Sequence, residues 1–160
     1  MNQRGRPTGF SLVELVIVLL IIGILAAVAS SRVLNVRNDA RINALVTEAN
    51  RLNRLALIAQ QINGRLPNNT TEKIVPTELQ PPLYANSFQA LNPVGAHWDW
   101  NGPGTSLPVQ GISCLWASTS AEPRGMYTQL DAKYDDGNAN TGKIRRHVLS
   151  GRPFWCFSLQ

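Results

Sequence analysis

Glu14 is the one charged residue between Phe10 and Ala29, a run otherwise built of apolar residues, Gly23 and Ser11. An acid at the centre of a membrane-spanning helix costs ~2.5–3.5 kcal/mol, less near an end, so it is expected to meet a positive partner. The plainer reading is a charge tolerated close to the membrane interface. Cys114 and Cys156 are the two cysteines. They are too few for a zinc site made of cysteine alone, which needs four. They could form one disulfide or stay as two buried thiols. Asp136, Asn138 and Asn140 match the first three ligands of a calcium loop, but only in part. Thr141 stands where the glycine is expected, and His147 takes the twelfth position in place of Glu. Turn chemistry alone explains Asp, Asn and Gly between two strands, so the plain turn is the expectation and no metal is assigned. His97 and His147 have neither a nucleophile nor a metal partner at motif spacing. Gly102-Pro103-Gly104-Thr105-Ser106 lacks the Gly-Lys-Ser/Thr ending of a phosphate loop. No catalytic constellation and no cofactor are expected, so the chain is not read as an enzyme.

The elements that carry these residues follow from composition and period. The chain has 160 residues, 44% hydrophobic and only 16% charged, which is too apolar for disorder. Residues 10–29 as a helix span ~30 Å, one bilayer core. Arg4 and Arg6 precede the run and the bulk of the chain follows it, which places the N-terminus on the cytoplasmic side. A buried core helix is the bland alternative, but core helices rarely run apolar all round for five turns. Ala26-Ala27-Val28-Ala29-Ser30 imitates a secretory cleavage site. The helical phase continues past it, which argues against removal there. Leu34, Ile42, Leu45, Ala49, Leu52, Leu55, Ala59 and Ile62 recur at spacings of three and four, with one gap of eight. Gly64 is a natural stop, and Pro67 follows. One helix over 10–63 would measure ~80 Å.

Residues 64–110 carry most of the 10 prolines and read as an irregular connection with one short helix near 87–91. The last fifty residues read as strands: 112–118, 125–134, 142–149 and 153–159. In the second, Met126, Thr128, Leu130, Ala132 and Tyr134 alternate with polar residues. A meander of about four antiparallel strands is the simplest topology. The fold class is therefore α+β: a long N-terminal helix, apolar in its first half and amphipathic in its second, packed on a C-terminal antiparallel sheet.

Both cysteines fall in strand candidates beyond the membrane segment, in a compartment that favours disulfides. A Cys114–Cys156 bridge is expected on that ground and would stabilise by ~4 kcal/mol in the chain-entropy model. His97-Trp98-Asp99-Trp100 reads as an aromatic loop that either binds a sugar or a neighbouring subunit, or covers the domain's own core, the commoner role. Asn68 and Asn69 open formal glycosylation sequons. Arg32, Arg37, Arg41, Arg51 and Arg54 could form a stripe for nucleic acid. A solvated face or pairing with acids of adjacent subunits fits better, and no nucleic acid is expected.

Gly9-Phe10-Ser11-Leu12-Val13-Glu14, with a short basic leader before it and an apolar helix behind it, resembles the type IV pilin and pseudopilin family, with a leader of the class III type. The resemblance covers residues 4–63; the remainder matches in architecture only, a sheet on the helix and a late disulfide. Residues 31–45 look like the mannose-sensitive haemagglutinin type of pilin. The resemblance implies that residues 1–9 are a leader removed by a prepilin peptidase, which cuts between Gly9 and Phe10 and methylates the new amine of Phe10. It implies a membrane and polymerisation helix over 10–30 and a periplasmic domain over 31–160. The family often has a proline where this chain has Ser31, so a fixed kink is not expected. Glu14 would pair with the amine of Phe10, its own or a neighbour's. The implied product is a structural subunit of a type IV pilus, or alternatively a pseudopilin of a type II secretion system. A membrane-anchored binding module that never polymerises is the rival from another class. The implied partners are copies of itself, other pilins, the peptidase, the inner-membrane assembly platform and, before assembly, membrane lipid. The implied location is the inner membrane first and an extracellular or periplasmic filament later.

Overall fold

A computed structural model describes residues 9–79, 85–107, 109–118 and 121–159. The expected leader, apart from Gly9, lies outside the described residues. Helix α1 runs Leu12–Asn63. Short helices follow at Thr77–Leu79 and α2, Ala85–Gln89. Strands β1 (His97–Asn101) and β2 (Gly111–Leu115) precede helix α3, Met126–Tyr134, and strands β3 (Ile144–Leu149) and β4 (Arg152–Ser158) close the chain. The chain divides into two units, Met1–Asp39 and Ala40–Gln160.

In the first unit residues 15–29 of the helix are apolar all round, and its large apolar side chains from Leu12 to Val28 are exposed. In the second unit a stripe of Ile42, Leu45, Ala49, Leu52, Ala56 and Ala59 is buried. These positions follow the alternating three-four spacing of one helix face. Leu34 and Ile62, expected on the stripe, are exposed. The helix ends where expected: Gly64 adopts φ 72°, the left-handed conformation that closes a helix at low cost in glycine.

The sheet is antiparallel throughout, in the order β1-β2-β4-β3. A simple meander is therefore corrected twice. Residues 97–101 form the edge strand β1 instead of a loop, because Trp98 and Trp100 point into the core while Asp99 and Asn101 point away. Residues 125–134 form helix α3 instead of a strand. Its buried residues are Met126, Tyr127, Leu130 and Asp131, a helical spacing that the sequence alternation concealed. β4 then inserts between β2 and β3. Gly111 makes this possible: it adopts φ 151°, and a Cβ there would strike the Phe157 carbonyl on β4.

One core cluster joins the α1 stripe to Trp98, Trp100, Trp116 and Trp155. Trp116 and Trp155 pack against each other with ring centroids 4.4 Å apart and planes tilted by 53°. The aromatic pair of β1 thus covers the domain's own core. The Trp155 indole donates to Glu122 at 2.5 Å, and Arg146 holds the same carboxylate with two hydrogen bonds of 2.8 and 2.6 Å. Burial pushes Glu122 up, but the bonds from Arg146 and Trp155 outweigh it and hold the carboxyl below its usual range.

Asn53 sits on the buried face of α1 and is 6% exposed. Its amide donates to the carbonyls of Phe157 (3.0 Å) and Ser158 (3.1 Å), and its oxygen accepts the Ile112 N–H at 2.9 Å. One side chain thereby ties the helix to β2 and β4.

Candidate functional site

The first turn of α1 positions Glu14. Its carboxylate accepts the Ser11 backbone N–H at 3.0 Å, and the Ser11 hydroxyl accepts the Val13 N–H at 3.4 Å. The Leu15 N–H reaches the Ser11 carbonyl at 3.2 Å. Ser11-Leu12-Val13-Glu14 is thus a capping box, in which the acid and the hydroxyl satisfy amides that a helix start leaves without partners. The Ser-x-x-Glu spacing signals this in the sequence, and reading Glu14 only for its charge missed it. The acid also faces the positive end of the helix macrodipole.

Gly9 and Phe10 lie before the helix, non-helical and exposed, with Phe10 81% accessible. A Cβ at Gly9 would meet nothing within 4 Å. Nothing in the folded chain therefore demands glycine there. A bond in this position is open to an enzyme, and the Glu14 oxygen already sits on the amide one residue beyond it. Behind it, α1 is long and apolar enough to cross a membrane, and its apolar window is wholly exposed.

The other sequence candidates fall elsewhere. The expected Cys114–Cys156 disulfide is absent: both cysteines are free and buried. Cys114 stands opposite Trp155, and Cys156 opposite Ser113. Facing partners share a side of the sheet and neighbours along a strand alternate. Cys114 therefore points to the helix-covered core, and Cys156 to the other face with Leu107, Leu115 and Phe154. A bridge would require a one-residue slip of register, which turns every side chain over. Burial raises the Cys114 thiol well above its ordinary range and pushes Cys156 up to about 12, so neither is a nucleophile. Without reductant, the unfolded chain is expected to release two titratable thiols and the native chain none on the same timescale; a chain yielding no thiol after denaturation would restore the bridge.

Asp136, Asn138 and Asn140 lie in the loop between α3 and β3, where a hairpin turn was expected. The Asn138 and Asn140 amides donate to Asp136 and Asn138 side-chain oxygens at 2.9 and 3.1 Å. The asparagines thus make successive turns, while the acids that converge are Asp131, Asp135 and Asp136. The stretch from Asp131 to Gly142 is rich in oxygen ligands in the sequence, but Asp131 on α3 and Asp135 at its C-terminal cap were not among the residues matched to the calcium loop.

On the sheet face away from α1, Asp99 is buried and its Oδ1 has no partner. Burial raises it to about 7, with Glu72 adding to the effect and Arg152 opposing it. Arg152 pairs with Glu72 at 2.5 Å. His97 opens β1 opposite Leu115, and His147 stands opposite Phe154.

Residues 4–30 match the family model described as the prokaryotic N-terminal methylation motif. No curated protein and no solved structure matches the chain. The match spans the residues around Gly9 and Phe10 and the apolar first part of α1. It agrees with the reading of this stretch as a leader and the start of a methylated helix, and the long helix followed by a four-stranded antiparallel sheet agrees with the α+β class expected.

Proposed function

We propose that this chain is a prepilin whose mature form polymerises into a type IV pilus. The observation that carries the reading is the exposed apolar first part of α1, with a lone acid anchored in its first turn, inside the stretch that matches the N-terminal methylation motif. In this reading the peptidase cuts between Gly9 and Phe10. The scissile carbonyl leaves with Gly9, and Phe10 gains a positive amine one residue from the Ser11 N–H that Glu14 now holds. Methylation keeps that amine basic. Glu14 then has a cation to meet, first in its own chain and afterwards in a neighbour.

The apolar surface supplies the driving force. Lipid covers residues 10–29 before assembly. Once a subunit leaves the membrane, the same surface needs other apolar surface, and sister helices offer it. Burial is worth ~25 cal/mol per Å² of apolar area, so a segment of this length represents tens of kcal/mol before entropic costs. A head-to-tail contact that does not close on itself yields a helical polymer. The globular unit would then face outward. A pseudopilin of a type II secretion system would use the same physics and give a short periplasmic product.

Intact-mass measurement of fibres sheared from cells tests the reading. The expected species begins at Phe10, carries one extra methyl group and retains both thiol hydrogens. A chain retained only in the membrane fraction with Met1 in place, or one beginning at Ser30 or Ser31, would overturn it. Absence from sheared fibres together with a processed chain in the periplasmic side of the envelope would favour the secretion pseudopilin.

A further inference from the structure

We infer that Asp99 is a proton-operated latch: while it is protonated, residues 69–73 and 105–107 stay closed over the sheet face away from α1, and once it ionises they open. Asp99 stands mid-strand in β1 and is 8% exposed. It lines a cleft of about 310 Å³, together with Thr70, Thr71 and Glu72 from one covering segment and Thr105, Ser106 and Leu107 from the other. Polar groups around the cleft find partners within the protein. Asn101 donates to the Ser113 hydroxyl at 2.8 Å and accepts from Thr105 at 3.4 Å, and the Thr70 hydroxyl donates to the Ile74 carbonyl at 3.0 Å. Asp99 differs: its Oδ1 is shut away from water and has no partner among the described residues. A buried carboxylate in that position holds a proton far more readily than a charge, and hydrating the charge requires the cover to lift.

The charged and titratable neighbours do not supply a dedicated cation. Across the sheet, Asp99 stands opposite Ser113, Ser113 opposite Cys156, and Cys156 opposite Arg145 on β3. The Cys156 thiol is pushed up to about 12 and stays neutral. His97 shares this face two residues before Asp99, and His147 lies in the same row as His97. Arg152 on β4 is held by Glu72, 2.5 Å away on the covering segment, and Lys73 lies 3.6 Å from the same Glu72. Residues 102–110 contain no titratable side chain. Burial and Glu72 outweigh the Trp100 N–H and Arg152, which leaves the Asp99 carboxyl raised from 3.8 to about 7.

The cover is lightly fastened. The Thr70 and Lys73 N–H groups donate to the Trp100 and Trp98 carbonyls of β1, the edge strand, at 3.4 and 3.2 Å. Lys73 holds φ 68°, a left-handed conformation that strains a residue with a side chain. The second segment is seated by Leu107, which joins Leu115, Phe154 and Cys156 in a small cluster separate from the main core. Both segments can therefore open locally while α1 stays on the opposite face of the sheet. The sign of the pH effect follows from the two states. In water the Asp99 carboxyl titrates near 3.8, and under the cover near 7, so between these values the closed form binds more protons. Rising pH then drives opening by up to about tenfold per pH unit, and the effect levels off above about pH 7.

Hydrogen–deuterium exchange of the full chain in detergent micelles, followed by mass spectrometry at about pH 5, 6, 7 and 8 and corrected for the intrinsic exchange rate, tests the latch. Opening of residues 69–73 should rise by about tenfold or more from pH 5 to pH 7 and change little from pH 7 to pH 8, while the buried stretch of α1 around Asn53 keeps its protection. Asp99→Asn keeps both histidines but has nothing to ionise at this position, so its protection should match that of the parent at pH 5 throughout the series. Glu72→Gln removes the repelling acid and frees Arg152, so the midpoint of opening should move to lower pH. Opening that is independent of pH in the parent, or that follows pH equally in Asp99→Asn, would overturn the latch. So would protection lost from α1 together with residues 69–73, which would mean that the whole unit unfolds. The readout needs no polymer, so it stands or falls apart from the pilus reading.

Discussion

Replacing Glu14 with alanine is expected to abolish filaments while leaving the amount of membrane-held, processed chain nearly unchanged. Two effects combine, and they differ in size. Loss of the bond to the Ser11 N–H weakens the first turn of α1 by about 1 kcal/mol, the ordinary cost of a lost cap. In a polymer whose interior is apolar, the larger loss is electrostatic. Removing one member of a desolvated charge pair costs about 2–5 kcal/mol per contact, because the remaining amine of Phe10 is left buried and unpaired. At 1.4 kcal/mol per factor of ten, subunit addition would weaken by roughly thirty-fold to several thousand-fold. Glu14→Gln separates the two effects, because glutamine still accepts the Ser11 N–H and completes the capping box without a charge. Electron microscopy of sheared material, with immunoblots of the membrane fraction, should find Glu14→Gln as devoid of fibres as Glu14→Ala. Fibres at parental yield from Glu14→Gln would make the acid a helix cap and nothing more. Fibres at parental yield from Glu14→Ala would remove Glu14 from assembly altogether.

Glu14 stood out in the sequence because a charge in an apolar run carries a cost that something must offset, whereas its capping of the Ser11 N–H lay in a spacing that was not read. The length of α1 was legible for a similar reason: the apolar run and the stripe that follows share one helical phase, and Gly64 ends it. β1 was hidden because its five residues lie in a proline-rich stretch and alternate large aromatics with Asp and Asn, a pattern equally at home in a loop. α3 was misread because Met126, Leu130 and Ala132 alternate with polar residues, although Met, Gln, Leu, Ala and Lys are good helix formers. With α3 went the meeting of Asp131 and Asp135, which depends on a spacing of four. The cysteines failed differently. Compartment predicts whether thiols oxidise, but only register decides whether they face each other. That register follows from β4 entering between β2 and β3, a long-range fact that the spacing of Cys114 and Cys156 does not contain.

Asn53→Ala should produce the largest stability loss of any single polar substitution in the Ala40–Gln160 unit, about 3 kcal/mol. Alanine is the better helix former, so local propensity predicts a slight gain. Burial reverses the sign. Asn53 supplies three hydrogen bonds at 2.9–3.1 Å to the backbone of two strands, each worth about 1 kcal/mol net. The Ile112 N–H then loses the side-chain acceptor it has from α1 in the interior, and orphaned buried donors cost a further ~1–3 kcal/mol. These terms total about 4 kcal/mol at their lower end; water at the Phe157 and Ser158 carbonyls, where the Ser158 bond is only partly buried, and the helix propensity of alanine bring the loss down to about 3 kcal/mol. Asn53→Asp should be worse than alanine. It keeps an acceptor for Ile112 but sets a carboxylate against the carbonyls of Phe157 and Ser158, a repulsion in a site that water barely reaches. Asn50, one turn earlier and exposed, is the control: Asn50→Ala should shift stability by less than ~0.5 kcal/mol. Thermal unfolding followed by circular dichroism checks the series, and about 3 kcal/mol corresponds to a Tm lower by roughly 10–15 °C for a unit of this size. An Asn53→Ala chain that melts within two or three degrees of the parent would mean that the helix rests on the sheet through its apolar stripe alone.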